Sequence, residues 1–351
     1  MDLYSWGANS HGQLGVGTFS EFEFITLINK KPEGIKAIAC GGGHSIILDC
    51  SGDLWTSGWN NKGQLGIKSK VDTNLFEKIN SDCKFRSISC GWDTSSAITL
   101  DNRIFVWGSN NYNQLGYSNK QQKVIMEPIE LKLPNDNKAL DIKFGLRHSA
   151  ILTTTNQLYI IGSLKHFKDM KLSNKIIHHN STEFLQIEIY ESKIRQISSG
   201  QHHITFLNDR NEITSVGDNK FMQCTEVNLS NVICKLSSGW THNGFLTDQK
   251  ELYLNGRNNY GQLGNGLRSD FEKSLQFLSI NQIDDFELGA EHGILKSNGK
   301  IFTWGWNEHG NCGNGSFKDV LEPKEIQLPH EYDKISVFAG SGFCMALCQL
   351  S

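Results

Sequence analysis

Proline is scarce, five in 351 residues, and glycine follows no three-residue period, so collagen-like and proline-rich spacer architectures are excluded. No run of 18 apolar residues occurs, which removes a membrane-spanning helix from consideration. The opening Met1-Asp2-Leu3-Tyr4-Ser5-Trp6 has no basic flank and no apolar stretch, so no signal peptide is expected. Neither sign of charge dominates: 34 Lys and Arg against 37 Asp and Glu leave a formal net charge of −3. A broad nucleic-acid-binding surface is not expected from that balance. The local run Lys165, Lys168, Lys171 and Lys175 reads as a solvated loop. The nine cysteines are odd in number and hold no Cys-x-x-Cys pair. They therefore suggest neither a disulfide framework nor a paired metal set. A reducing compartment fits them best. No nucleophile-elbow or zinc-protease motif appears, so a conventional enzyme is disfavoured and no cofactor or metal is expected.

What is present is repetition. A motif reading aromatic-x-Gly-x-Asn-x-x-Gly-Gln-Leu-Gly starts at Trp6-Gly7-Ala8-Asn9 and returns at Gly58, Gly108 and Gly256. A variant starts at Trp304-Gly305, and eroded copies stand at Gly162 and Gly217. A second motif, Gly-x-x-His before an apolar run, keeps the same beat. Its histidines are His44, His148, His203, His242 and His292, with Thr94 and Phe343 in the two remaining copies. Each unit reads as short β-branched runs bounded by glycine. Units of about 50 residues with about four strands each are propeller blades. The expected fold is all-β, a single seven-bladed β-propeller over residues 1–351 with four-stranded blades. The last unit stops after two strands, near 335–351, and the chain opens on the missing third. Pairing the two, with the last blade shared between about 1–30 and 335–351, would close the ring and remove its free edges.

The repeated residues read as structural. Gly7, Gly58, Gly108, Gly256 and Gly305 suit turns with positive φ or close backbone approach. Histidines one blade apart cannot gather at one metal, and recurrence points to buried rings bonded to backbone. Cys40 and Cys90, before equivalent glycines, read as small buried residues.

Both the Gly-x-x-His turn and the Gly-x-Asn loop follow odd-numbered strands of a blade, so both emerge at one end of the ring. That end collects varied residues on a repeating frame, where function is expected. The candidates for protein contact are Trp92, Asp93, Arg147, His202, Trp240, Thr241, Glu291, Trp306 and His309. Trp and Arg are favoured anchors of protein interfaces.

The motifs just described resemble the regulator of chromosome condensation repeat family, over the whole chain. The resemblance implies a protein partner, a small GTPase or an exocyst component, and possible guanine-nucleotide exchange. By motif position, Asp93 and His202 match turns that carry functional Asp and His residues in that family's exchanger. No counterpart of the exchanger's basic tail or wedge-like insertion is expected here. Turn residues such as Gly91-Trp92-Asp93 and Gly239-Trp240-Thr241 are most similar to a secretion-linked branch. That branch implies a cytoplasmic and nuclear location tied to secretion. The charge balance and the lack of long apolar runs give no nucleic-acid or membrane partner as the expectation, and a monomer is expected.

Overall fold

The computed structural model describes residues 1–168, 170, 172–179, 181–189 and 192–350. Seven inner strands pack side by side round a central channel: Ile35–Cys40, Phe85–Cys90, Ala139–Phe144, Ile194–Ser199, Ile233–Ser238, Ile283–Leu288 and Lys334–Ala339. We number blades 1 to 7 by these strands. The second strand of each blade is its most deeply buried. His44–Asp49, Thr94–Thr99 and His148–Thr153 are buried at every position, because neighbouring blades cover both of their surfaces.

The ring closes as the ends of the sequence suggest. In blade 7, Asp2–Gly7 lies antiparallel to Phe343–Gln349, with Asp2 opposite Cys348 and Gly7 opposite Phe343. Phe22–Leu27 then forms the outer strand. The Tyr4 hydroxyl meets that of Tyr332 at 2.7 Å, and Tyr332 donates to Asp2 at 2.8 Å. Between blades 6 and 7, the Trp6 indole donates to the Asn311 carbonyl at 3.0 Å.

Five blades have four strands; the two eroded repeats depart in opposite directions. Blade 3 has five, because the long stretch after Gly162 folds into a hairpin, Asn174–His179 with Thr182–Ile187. Blade 4 has three, because too few residues separate Gly217 from the next inner strand at Ile233 for a loop and a fourth strand. The expected loop at 163–175 is only partly solvated. Lys165, Lys168 and Lys175 are exposed, but Leu164 and Phe167 are buried against blades 3 and 4. Lys171 lies outside the described residues.

The repeat glycines meet both demands placed on them. Gly108 has φ +105°, and a Cβ there would lie 2.5 Å from the Asp93 carbonyl oxygen. The loop asparagine does more than sequence reasoning assigned. Asn60 donates to the Ser69 and Val71 carbonyls at 2.9 and 3.2 Å and accepts from the Leu65 amide at 3.0 Å. Asn9, Asn110, Asn258 and Asn307 clamp their loops in the same way. Each clamp seats a fully buried Leu14, Leu65, Leu115 or Leu263 between blades, with Cys312 in the variant copy.

Candidate functional site

The five repeat histidines are buried, as expected, with backbone groups of Thr94, His203 and Phe343 beside His44, His148 and His292; four of them also meet a side chain, and His242 does not. Those four rings reach toward the next blade: His44 Nε2 lies 2.8 Å from Ser95 Oγ, His148 3.0 Å from Ser199 Oγ, and His203 2.7 Å from Asn243 Oδ1. His292 approaches Cys344 Sγ at 3.2 Å. The same rings explain the glycine three residues earlier, since a Cβ on Gly145, Gly200, Gly239 or Gly289 would lie 2.1 Å from its own imidazole Cε1. Burial holds these imidazoles neutral, pushing His44, His148 and His242 down to about 3 and His203 and His292 to about 4. They are framework, not chemistry.

The turns and loops do share one end of the ring. Over the channel mouth they enclose a cavity of about 480 Å³, within the range of ligand sites. Trp92, Trp240, Glu291, Trp306 and His309 line it. Trp92 and Trp240 come from turns on blades 2 and 5, yet their ring centroids are 5.3 Å apart across the mouth. Trp306 has Tyr260 at 6.5 Å and His309 edge-on at 5.2 Å.

Other candidates lie on the same end but outside this cavity. Asp93, in the blade 2 turn, is half-buried; burial raises its carboxyl, against a hydrogen bond from Ser109 and the nearby Lys62. Arg147 is exposed and lies over the Tyr112 ring at 4.7 Å. His202 stacks on His166 at 4.6 Å, with the Asp218 carboxylate 3.8 Å from His166. Burial and the His166 charge lower the His202 imidazole. Thr241 sits beneath the surface, where its hydroxyl faces Glu291 at 3.4 Å.

Glu291 is 6% exposed. Its carboxylate accepts from Gln262 Nε2 at 2.5 Å and has Arg257 Nη1 at 3.5 Å. Burial outweighs Arg257, Gln262 and Thr241 and pushes the carboxyl up to about 7.

Sequence reasoning missed several lining residues: His11, Trp59, Arg257 and Tyr260. A signal for them existed. Trp59, Arg257 and Trp306 each directly follow a repeat glycine, and His11, Tyr260 and His309 each stand four residues after one. Those two registers point into the cavity as the turns do.

The comparisons with known proteins agree with this architecture. The model of the RCC1-like domain matches residues 2–346. The secretion-regulating guanine nucleotide exchange factor of Bos taurus is 29% identical, over 99% of this chain and 83% of its own. An RCC1 repeat-containing protein of Schizosaccharomyces pombe is 27% identical, over 93% of each. Among solved structures, Prp20p of Saccharomyces cerevisiae, studied for its binding to Gsp1p and histones, superposes with a TM-score of 0.87 at 21% identity. That superposition covers 100% of this chain and 92% of Prp20p.

Proposed function

The chain belongs to the RCC1-like domain family, and from that premise we propose that it is a protein-interaction module that regulates a small GTPase. The observation that carries the reading is the end of the ring where the turns and loops meet. There a fixed frame presents Trp92, Asp93, Arg147, His202, Trp240 and Trp306, a mixture of aromatic and charged groups suited to protein contact. Relatives support the class of partner, since those from Bos taurus and Mus musculus are named guanine nucleotide exchange factors. The relatives from cattle and mouse are named for secretion, so we extend the proposal to a GTPase, or an exocyst component, acting in that process in the cytoplasm and nucleus.

A second reading, true nucleotide exchange, is favoured by Asp93. An exchanger needs no covalent chemistry. It binds the nucleotide-free GTPase more tightly than the loaded one, and linkage then lowers nucleotide affinity by the same factor. A half-buried carboxylate at a turn can do this by competing for the lysine that holds the nucleotide phosphates. The test is release of fluorescent GDP from a panel of small GTPases with catalytic amounts of this protein. Acceleration of one GTPase that Asp93→Ala abolishes establishes exchange. Nucleotide-indifferent capture of a GTPase, with no acceleration, leaves the module without exchange activity. Absence of both capture and acceleration across the panel refutes the proposed function.

A further inference from the structure

Four of the eight tryptophans do not serve the core: Trp59, Trp92, Trp240 and Trp306 line the cavity over the channel mouth, and Tyr260 joins them. All five are half-buried, so each keeps part of its ring open to what enters. The face of an aromatic ring carries negative charge density. It attracts a cation, Trp most strongly, and offers an anion nothing comparable. The protein already uses this once at the cavity wall. The Arg257 guanidinium lies 4.8 Å from the Phe221 ring centroid and 5.6 Å from that of Tyr260.

The charges around the cavity have the matching sign. Glu291 is at its floor and Glu308 at its rim. His11 and His309, also in the lining, are each backed by a carboxylate, Asp72 at 2.8 Å and Glu21 at 2.7 Å. Among the described residues the lining itself holds two carboxylates, Glu291 and Glu308, against one arginine, Arg257, and no lysine. Glu291 is also poorly served for a buried carboxylate. A carboxylate has room for about four donors. Apart from the close Gln262 amide, the side-chain contacts of Glu291 among the described residues are Thr241 at 3.4 and 3.5 Å and Arg257 at 3.5 Å. Those are long contacts for a charge-assisted bond. A group in this state raises the energy of the empty site, and an incoming donor of positive charge relieves it.

We propose that this cavity is a site for an organic cation, filled by the guanidinium or ammonium head of a basic side chain on a protein partner. Trp240, Trp306 and Tyr260 form its walls, and Glu291 is its counter-ion. The inference rests on the reading of this end as the partner face, and its test needs no GTPase. Nα-acetyl-arginine amide is titrated into the full chain while indole fluorescence and calorimetry are followed. The neutral citrulline analogue is titrated in parallel. Saturable binding with a Kd on the order of 1 mM is expected for the arginine probe, and none for citrulline. Glu291→Gln and, separately, Trp306→Ala should each weaken it at least about tenfold, with circular dichroism reporting an unchanged fold. Equal response to citrulline, no saturable response to arginine, or an unaltered affinity in Glu291→Gln each overturns the proposal. Such a failure leaves a positive GTPase assay standing. Cation binding alongside a silent GTPase panel would instead remove the GTPase reading and leave this one.

Discussion

The imidazole of His44 and the hydroxyl of Ser95 are 2.8 Å apart although 51 residues separate them. Each sits in the second strand of its blade, so the contact ties blade 1 to blade 2 through the core of the ring. Replacing His44 by Ala removes a buried ring, leaves Ser95 without that partner and opens a void under Gly41. The expected loss is about 2–4 kcal/mol, read as a lowered urea midpoint.

The same rings set a pH dependence. A buried neutral imidazole whose folded pKa lies below the unfolded value of about 6.5 stabilises the fold fully above that value. The contribution is lost as pH falls toward the folded values of about 3 and 4. Denaturant midpoints should therefore drop between pH 6.5 and 4, and less steeply in His44→Ala than in the parent chain.

Glu291 works in the opposite sense. Its folded value of about 7 lies above the ordinary 4.5. Its contribution is therefore greatest below pH 4.5 and is lost as pH rises through 7. Glu291→Gln keeps the shape and cannot ionise. It should match the parent chain at pH 5 and exceed it at pH 8 by on the order of 2–3 kcal/mol. Paired urea titrations at the two pH values check this.

Glycine positions separate two kinds of strain. Gly108→Val forces a β-branched residue to φ +105° and drives its Cβ to 2.5 Å from the Asp93 carbonyl, so the ring should fail to assemble. Gly299 also has positive φ, +76°, but nothing lies within 4 Å of a Cβ there. Gly299→Ala should cost only about 1 kcal/mol, seen as a small fall in Tm with an intact cooperative transition.

The loop asparagines offer a third measure of the frame. Asn60→Ala would strand the buried Leu65 amide and release the Ser69 and Val71 carbonyls of the more exposed end of the loop. A loss of about 2–4 kcal/mol is expected, with the Trp59 side of the cavity loosened in hydrogen exchange.

Most of the architecture was legible in the sequence because it is repetitive. Gly58 and His44 recur at matching intervals, and the steric and burial demands behind them are local. The strand between Asp2 and Gly7 was legible because the last repeat lacked it. The extra hairpin at Asn174–Ile187 was not, since a repeat that has lost its loop motif leaves no beat to count. The five candidates that line the cavity, Trp92, Trp240, Glu291, Trp306 and His309, were partly legible. Turn position placed Trp92 on the right end, but it could not say that a ring on blade 5 would meet it. Thr241 and Glu291 occupy the same turn register, and burial alone separates them from their exposed neighbour Arg147.

The pairing of Asp2–Gly7 with Phe343–Gln349 has a consequence for synthesis. A growing chain emerges from its amino terminus, so Asp2–Gly7 waits, unpaired on that side, until Phe343–Gln349 has left the ribosome. Blades 1 to 6 can order in sequence, each against its predecessor, but the ring is sealed only after translation has passed residue 349. Through that interval the unsealed ring carries open sheet edges, the state in which strands are most exposed to wrong pairing.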